Sequence, residues 1–137
     1  MMMSENWVKD MNNFHEYYGI HDAVNAMDDE KLKQFLIFRL AFLKEELDET
    51  FDAATAKDPE EIVDGLIDLC VFAIGTLNVF GVDPNVAWDR VYEANMAKQP
   101  GVKPGRPNPF GLPDLLKPSG WTPPSHEGNH GDLPNAL

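Results

Sequence analysis

The sequence predicts an all-α protein, a bundle of four helices followed by an extended tail. Four segments carry apolar residues at helical spacing between residues that begin and end helices. No stretch of useful length shows the alternation of apolar and polar residues expected of a strand. Nine of the 11 prolines and six of the 10 glycines lie in the last 38 residues, a composition that disfavours regular helix or sheet. We therefore expect a helical domain over 1–99 and a tail over 100–137 that packs on the bundle or is partly disordered.

Each predicted helix has its own start and stop signals. Ser4 is the expected N-cap of the first helix, which Gly19 ends. The second helix is long because no Gly or Pro interrupts it. The third and fourth helices each open with Asp followed by Pro, because Asp caps free N–H groups and Pro fits the first helical position. The expected boundaries are Ser4 to Tyr18, Asp28 or Asp29 to about Ala56, Asp58 to Gly81, and Asp83 to about Gln99.

The length and composition fit one globular protein without disulfides. The chain has 137 residues, 43% of them hydrophobic, which is enough to bury a core. Its single cysteine, Cys70, cannot form an internal disulfide and lies in an apolar run, which indicates a reducing compartment. The N-terminal residues lack the features of a secretory signal. The longest apolar run is interrupted by Asp64 and Asp68 and is expected to be too short to span a bilayer. We therefore expect a cytoplasmic protein with no membrane partner.

The chain is strongly acidic. It carries 23 acidic against 11 basic side chains, a formal charge of −12. Such a surface repels phosphate backbones, so we expect no nucleic-acid partner. A small anionic substrate would meet the same repulsion unless metal ions accompanied it.

Five acids crowd the stretch Leu43–Asp52 of the second helix. At about 100° per residue, a core seam of this helix passes through Leu40 and Leu47. A second stripe carries Phe42 and continues one and two turns later through Glu46 and Glu49. The other three acids fall on the solvent side; they are Glu45, Asp48 and Asp52.

The third helix repeats this arrangement. Its core seam passes through Leu66, while Glu61, Asp64 and Asp68 share a different stripe that continues through Phe72. Beyond Leu69 the helix is apolar almost all round, which implies burial on several sides. We therefore expect a homo-oligomer, with this helix near the interface between copies.

Two consecutive helices thus each place a carboxylate pair, spaced i and i+3, on a face that otherwise carries phenylalanine. Burying four carboxylates together without cations would be very costly. Clustered carboxylate oxygens suit a hard divalent cation, Mg²⁺ or Mn²⁺. A water-filled groove with a basic partner such as Arg39 is the other interpretation, and the geometry alone favours neither.

The same residues resemble a known signature. "EELDE" (Glu45 to Glu49) followed by "EIVD" (Glu61 to Asp64) resembles the EExxE…ExxD motif of the all-α nucleoside-triphosphate pyrophosphohydrolases. That superfamily includes MazG, the phosphoribosyl-ATP pyrophosphohydrolases, and the dimeric dUTPase and dCTP pyrophosphatase relatives. "FHEYYGI", "VYEANMAK" and the tail "KPSGWTPP" are similar to the small MazG-like proteins of bacteriophages, and the resemblance covers residues 5 to 125. Asp68 is an extra acid where several relatives carry an aromatic residue.

The resemblance implies a four-helix bundle of the MazG-like type with its catalytic residues in 1–99. It implies hydrolysis of a nucleoside triphosphate to the monophosphate and diphosphate with Mg²⁺, for which Mn²⁺ is a possible substitute. The metal ligands would be Glu46, Glu49, Glu61 and Asp64. Glu46 or Glu49 would act as the general base. Asp68, where several relatives have no acid, is a candidate for a further ligand, a hydrogen-bond acceptor behind the ligands, or a contact to the substrate.

Contacts to the substrate follow from the same resemblance. Lys98, with Asn95 one turn earlier, matches the part of the fourth helix that reaches the substrate, although a Lys there also suits a helix C-terminus. Arg39 is a further candidate for the phosphates, and Lys103 and Arg106 could close over them from the tail. The candidates for contact with the base are Phe42, Phe72, Asn78 and Trp121. The tail residue Trp121 is also expected to anchor the tail.

Two other classes of protein also have acidic helices. A di-iron carboxylate bundle would need histidines on the acid-bearing helices, and the sequence has none there. A non-enzymatic acidic helical protein that binds a protein partner is the alternative to an enzyme. Among substrates, the resemblance favours deoxynucleotides with a lean to dGTP or GTP, handled by a homodimer or homotetramer.

Overall fold

A computed structural model describes residues 3–105 and 109–137 of the chain. The prediction of an all-α protein is confirmed, because helices account for most of the described residues. The elements are α1 (Trp7–Tyr17), α2 (Ile20–Asn25), α3 (Asp29–Thr55), α4 (Pro59–Val79), α5 (Pro84–Met96), β1 (Gln99–Gly101), β2 (Asp114–Leu116) and a 3₁₀ helix (Leu133–Ala136).

The two longest helices begin where the sequence predicts. The side chain of Asp28 accepts a hydrogen bond of 2.8 Å from the N–H of Lys31 and caps α3. Asp58 caps α4 in the same way, with Pro59 in the first turn. These caps satisfy N–H groups that a helix start leaves free.

The start of α1 corrects the prediction. Its N-cap is Asn6 rather than Ser4, and the Asn6 side-chain oxygen accepts from the N–H groups of Val8 and Lys9 at 2.9 and 3.1 Å. Ser4 lies outside the helix. Both Ser and Asn cap helices well, so the type of residue at position 4 was not enough to locate the start of α1.

The described residues form five helices where the sequence predicted four. The additional helix, α2, follows Gly19, whose φ of 69° lies in the left-handed region that glycine adopts without strain. Gly19 therefore ends α1, as predicted, and also starts α2. Six residues are too few to show helical periodicity, which is why α2 was missed.

The expectation that the tail forms no regular helix or sheet is wrong. Gln99–Gly101 pairs antiparallel with Asp114–Leu116, with Gln99 opposite Leu116 and Gly101 opposite Asp114. Gly101 leaves space for the Leu116 side chain, which would have to shift if residue 101 carried a Cβ. The ladder is short and contains Pro100, which fits an edge strand.

The end of the tail belongs to the helical core. Ala136 in the 3₁₀ helix is 2% exposed and packs with Val79 and Phe80 of the α4 end. The N–H of Asp132 donates to the Phe80 carbonyl at 2.7 Å. The C-terminal segment thus covers apolar surface that α3 and α4 leave open.

Contacts divide the chain into two compact units. The first extends to Pro84 and includes Gly128–Leu137; we call it the helical unit. The second is Asn85–Glu127, which we call the tail unit. The domain boundary predicted between residues 99 and 100 falls inside the tail unit.

Helix α4 is less buried within one chain than the sequence suggested. Leu66 is 52% exposed, and Leu40 and Leu47 of the α3 seam are 54% and 44% exposed. By length and composition alone, the 21-residue helix α4 could cross a membrane, so the expectation that it is too short does not hold. Core helices of soluble proteins meet the same criterion, and α4 carries Asp64 and Asp68 within its length.

Candidate active site

Helices α3 and α4 approach each other closely at Thr50 and Gly65. Gly65 is buried, and a Cβ at that position would overlap the Thr50 hydroxyl. That hydroxyl donates to the backbone carbonyl of Glu46 at 2.8 Å, so it is fixed in place. Since Glu49 and Asp64 are the chain neighbours of Thr50 and Gly65, one predicted acid of each pair adjoins this crossing.

Glu46 is the acid set most firmly into the crossing. Among the five acids of Leu43–Asp52 it alone is half-buried, while the other four are exposed. Its partial burial raises the pKa of Glu46, and the negative charges of Glu49, Asp68 and Glu45 raise it further. Because Asp68 belongs to α4, the carboxylates of the two helices influence each other across the crossing. The predicted division of the acid run is therefore visible in burial for Glu46, whereas Glu49, predicted on the same face, is exposed like Glu45, Asp48 and Asp52.

The chemistry of this set fits a hard divalent cation. All the donors are carboxylate oxygens, and a cation would offset the repulsion around Glu46. Among the described residues, however, no three His, Cys, Asp or Glu side chains are arranged as a metal-binding group. Glu49, Glu61, Asp64 and Asp68 are exposed, so their side chains have room to turn toward a cation. Their role as ligands stays a prediction.

Arg39 ties α3 to α4. Its Nε donates to the Thr76 hydroxyl at 3.0 Å, one Nη donates to the Phe72 carbonyl at 3.3 Å, and the guanidinium lies 5.2 Å from the centre of the Phe72 ring. Burial lowers the pKa of Arg39 from its usual value. Gly75 leaves room for this arrangement, because a Cβ there would come within 2.9 Å of the Arg39 Nη that donates to the Phe72 carbonyl. If Arg39 also contacted a phosphate, its guanidinium would have to serve both the phosphate and α4.

Two of the aromatic residues predicted near the base lie together beside the acids. The rings of Phe42 and Phe72 are 4.3 Å apart between centres. Phe42 lies one turn before Glu46, and Phe72 one turn after Asp68. On each helix a phenylalanine therefore lies one turn from a carboxylate on the same stripe, as the sequence predicted.

Asn78, another candidate for the base, is fully occupied within the helical unit. Its side-chain oxygen is 2.7 Å from both His15 Nδ1 and His21 Nε2, and its amide nitrogen donates to Asn12 at 3.2 Å. Since an oxygen only accepts, both histidine nitrogens must carry protons. This network joins α1 and α2 to α4.

His15 is the buried centre of this network and was not singled out from the sequence. It is 1% exposed. Burial lowers the pKa of His15, the hydrogen bond to Asn78 opposes that shift, and the charges of Arg39 and His21 add to the lowering. His15 was missed because its partner lies 63 residues away in the sequence.

In the tail unit, Trp121 anchors the chain to α5. Its indole N–H donates to the Ala94 carbonyl at 2.8 Å. The ammonium nitrogens of Lys98 and Lys117 lie 5.5 and 5.1 Å from the centre of its ring. Lys98 was predicted to contact phosphates, whereas Lys117 was not considered. An isolated Lys in a proline-rich stretch belongs to no sequence motif that would identify it as a functional residue.

The remaining phosphate candidates are also in the tail unit. Asn95 is exposed, and its backbone carbonyl accepts from the N–H of Lys98 at 3.2 Å. The N–H of Lys103 donates to the Asp114 carboxylate at 2.9 Å, which fixes the start of the tail. Arg106 lies outside the described residues.

Each unit also contains a cavity. One of about 270 Å³ lies between α1 and α4 and is mostly apolar, with Trp7, Cys70 and Ile74 in its lining. The other, of about 510 Å³, lies in the tail unit between α5 and the tail and is lined by Arg90, Trp121 and others. The acid pairs line neither cavity, so the candidate active site is the open crossing of α3 and α4.

Comparison with known families shows to which family this chain belongs. The sequence profile of the phosphoribosyl-ATP pyrophosphohydrolase family matches residues 20–95, more than half of the chain. The chain belongs to this family. The matched segment contains α2, α3 and α4, including all four predicted metal ligands. The resemblance inferred from the acid motif is therefore confirmed. A comparison with curated proteins found no match.

Membership of the phosphoribosyl-ATP pyrophosphohydrolase family identifies the chain as a nucleotide pyrophosphohydrolase, a hydrolase acting on phosphoric anhydrides. Pyrophosphohydrolases of this family generally depend on a divalent metal. The match ends at residue 95, so Lys98 and Trp121 lie beyond it.

Proposed function

We propose that this chain hydrolyses nucleoside triphosphates to the monophosphate and diphosphate with Mg²⁺, acting on deoxynucleotides with a lean to dGTP or GTP. The observation that carries the proposal is the half-buried Glu46, set against Glu49 and Asp68 where Thr50 and Gly65 bring α3 and α4 together. This crossing lies inside the segment that matches the family.

The proposed ligands are Glu46, Glu49, Glu61 and Asp64. A bound divalent cation supplies positive charge that offsets the phosphates and stabilises charge as the anhydride bond breaks. Glu46 or Glu49 orients the attacking water and accepts its proton. Asp68 adds a fifth carboxylate, as a further ligand, as a hydrogen-bond acceptor behind the ligands, or as a contact to the substrate.

Cationic and amide side chains complete the proposed site. A chain of charge −12 needs positive groups near a polyphosphate, and we assign Lys98, Asn95 and Arg39 to this role. Phe42 and Phe72 lie one turn from Glu46 and Asp68 with their rings 4.3 Å apart between centres, and they are the proposed contacts for the base.

We also propose that the active form is a homodimer or homotetramer in the cytoplasm. The exposed residues on α3 and α4 include Phe38 at 60%, Leu66 at 52% and Val63 at 61%. Such a large exposed apolar surface is rarely left uncovered in a soluble protein. A second copy covers it symmetrically. Light scattering on the purified chain distinguishes these states, and a monomer would contradict the oligomer.

Product analysis tests the function. The purified chain is incubated with each of eight ribo- and deoxynucleoside triphosphates, with Mg²⁺, with Mn²⁺ and with a chelator. We expect monophosphate and diphosphate, only with metal, and faster turnover of deoxynucleotides. Nucleoside diphosphate and orthophosphate as products would contradict the assignment of the phosphoric anhydride bond that breaks. Turnover of no nucleotide would reopen the interpretation as a non-enzymatic acidic protein.

A further inference from the structure

Two hydrogen bonds fix the guanidinium of Arg39 to one turn of α4. Its Nε donates to the Thr76 hydroxyl at 3.0 Å, and one Nη donates to the Phe72 carbonyl at 3.3 Å. The Thr76 hydroxyl is itself fixed, because it donates to the same carbonyl at 2.6 Å. Thr76 is 8% exposed, so water competes little for these bonds. Since a guanidinium is planar and rigid, two bonds from adjacent nitrogens determine its orientation.

The guanidinium oriented in this way contacts the ring of Phe72. Its central carbon lies 5.2 Å from the centre of that ring and 6.0 Å from the centre of the Phe35 ring. A guanidinium is attracted to the face of an aromatic ring and stacks on it. The Phe72 ring also lies 4.3 Å from the Phe42 ring between centres. Arg39 therefore limits the orientations open to Phe72, which in turn packs against Phe42.

Stability alone does not account for an arginine at this position. Across residues 3–105 and 109–137, the ion pair found joins Lys9 to Glu5, and none involves Arg39. Arg39 is half-buried, and removing a charge from water without a counterion is costly. Apolar side chains often replace buried charged groups without loss of stability. The charge and the hydrogen bonds of Arg39 thus indicate a role beyond packing.

The two phenylalanine rings remain accessible to a ligand. Phe42 and Phe72 are each only half-buried, so both rings pack on the protein and keep some open surface. The base of a nucleotide is a flat group that stacks on aromatic side chains. It binds best to a ring whose orientation is already fixed, because no ordering of the ring then opposes binding.

We propose that Arg39, oriented by Thr76, positions the ring of Phe72 for contact with the base of the substrate. This inference rests on the proposed function, which assigns Phe42 and Phe72 to the base. It adds Thr76 as a positioning residue and gives Arg39 a positioning role. All of these residues belong to α3 and α4 of the helical unit.

A comparison of two substrates measures the contact with the base. One is dGTP, and the other is deoxyribose triphosphate, which carries the same sugar and phosphates without a base. A phosphate contact by Arg39 affects both substrates alike, so it cancels in the ratio of their kcat/KM values. In Arg39→Met we expect this ratio to fall about three- to tenfold, because the base contact is displaced rather than removed. An unchanged ratio would overturn the proposal.

Threonine variants test the role of the Thr76 hydroxyl. Thr76→Val removes the group that accepts from Arg39, whereas Thr76→Ser keeps it. The matched control is Thr55→Val, because the exposed Thr55 hydroxyl donates to the Phe51 carbonyl at 3.2 Å in the same helical geometry. The ratio should fall in Thr76→Val and keep its wild-type value in Thr76→Ser and Thr55→Val. Equal ratios in Thr76→Val and Thr55→Val would overturn the role of Thr76.

A double-mutant cycle tests whether Thr76 acts through Arg39. In Arg39→Met the Thr76 hydroxyl has no guanidinium to orient, so adding Thr76→Val should change the ratio little further. Full additivity of the two changes would overturn this order of action. Thr76→Val leaves Arg39 Nε without its acceptor, which is destabilising in a buried place. If that variant does not fold, Arg39→Met decides the proposal, because it leaves no donor of Thr76 unpaired.

Binding separates this inference from the proposed function. Calorimetric titration with dGMP and with deoxyribose phosphate measures the base contact without hydrolysis. Hydrolysis by Arg39→Met with the wild-type ratio, and with the wild-type preference for dGMP, would overturn the inference and leave the function intact. Loss of the preference for dGMP in Arg39→Met, in a chain that hydrolyses no nucleotide, would support the positioning of Phe72 and contradict the function. A wild-type chain that neither hydrolyses nucleotides nor binds dGMP would overturn both.

Discussion

The hydroxyl of Thr50 occupies the space where a side chain on Gly65 would begin. This contact sets the spacing of α3 and α4 at the point where both helices carry their acids. It also fixes the direction of the Thr50 side chain, which donates to the Glu46 carbonyl. The position of the candidate active site thus depends on a glycine that bears no chemistry of its own.

Gly65→Ala should therefore destabilise the protein. Overpacking of a tight contact costs about 1–3 kcal/mol, whereas the better helix propensity of Ala returns only about 1 kcal/mol. We expect a net loss of up to about 2 kcal/mol in urea unfolding, with reduced turnover. The double variant Thr50→Ala, Gly65→Ala removes the overlapping hydroxyl and should recover most of that stability. If Gly65→Ala unfolds like wild type, the close approach of α3 and α4 does not depend on the absence of a side chain at residue 65.

Stability should fall on acidification because of His15. Burial holds the pKa of His15 below its ordinary value in the folded protein, so the unfolded chain binds the proton more readily. The contribution of His15 is complete above an unfolded pKa of about 6.5 and is lost as pH falls through the lowered folded value.

Urea unfolding between about pH 7.5 and 5.5 measures this loss. The matched variants are His15→Gln, which cannot titrate, and His130→Gln, which alters an exposed histidine. The loss should be smaller in His15→Gln and unchanged in His130→Gln. The same pH dependence in His15→Gln as in wild type would contradict the assignment to His15.

The C-terminal segment should be essential to the helical unit. Ala136 is 2% exposed against Val79 and Phe80, whereas its neighbour Leu137 is 84% exposed. Ala136→Asp places a charge in this core and should cost more than about 3 kcal/mol. Leu137→Asp introduces the same charge in solvent and should be nearly neutral. Similar unfolding midpoints for the two variants would show that the segment does not cover the core.

Local signals in the sequence predicted most of the helical framework. Asp58 followed by Pro59 placed the start of α4 correctly, because a cap and a fixed φ act within one turn. The three-residue strands and the six-residue α2 lacked a detectable period. Their existence depends on contacts such as Gly101 against Leu116, which no local pattern encodes.

The candidate site was predictable to the extent that helical periodicity determines it. The spacing of the acids placed Glu46 on a face that the structure brings toward Asp68, whereas Glu49, predicted on the same face, is exposed. The network around Asn78 was not predictable, because His15 and Asn12 reach it from more than 60 residues away. Exposure of Leu40 and Leu66 was also unexpected, since periodicity identifies an apolar face without saying which chain covers it.

The most direct test compares two neighbouring glutamates. Glu46 is half-buried at the crossing and Glu45 is exposed, so Glu46→Gln and Glu45→Gln make the same chemical change on the two sides of one helix. Turnover of dGTP with Mg²⁺ should fall at least about 100-fold in Glu46→Gln, as for loss of a metal ligand or general base, and should remain within about twofold in Glu45→Gln. Equal turnover by the two variants, both folded by circular dichroism, would contradict the assignment of Glu46 to the active site.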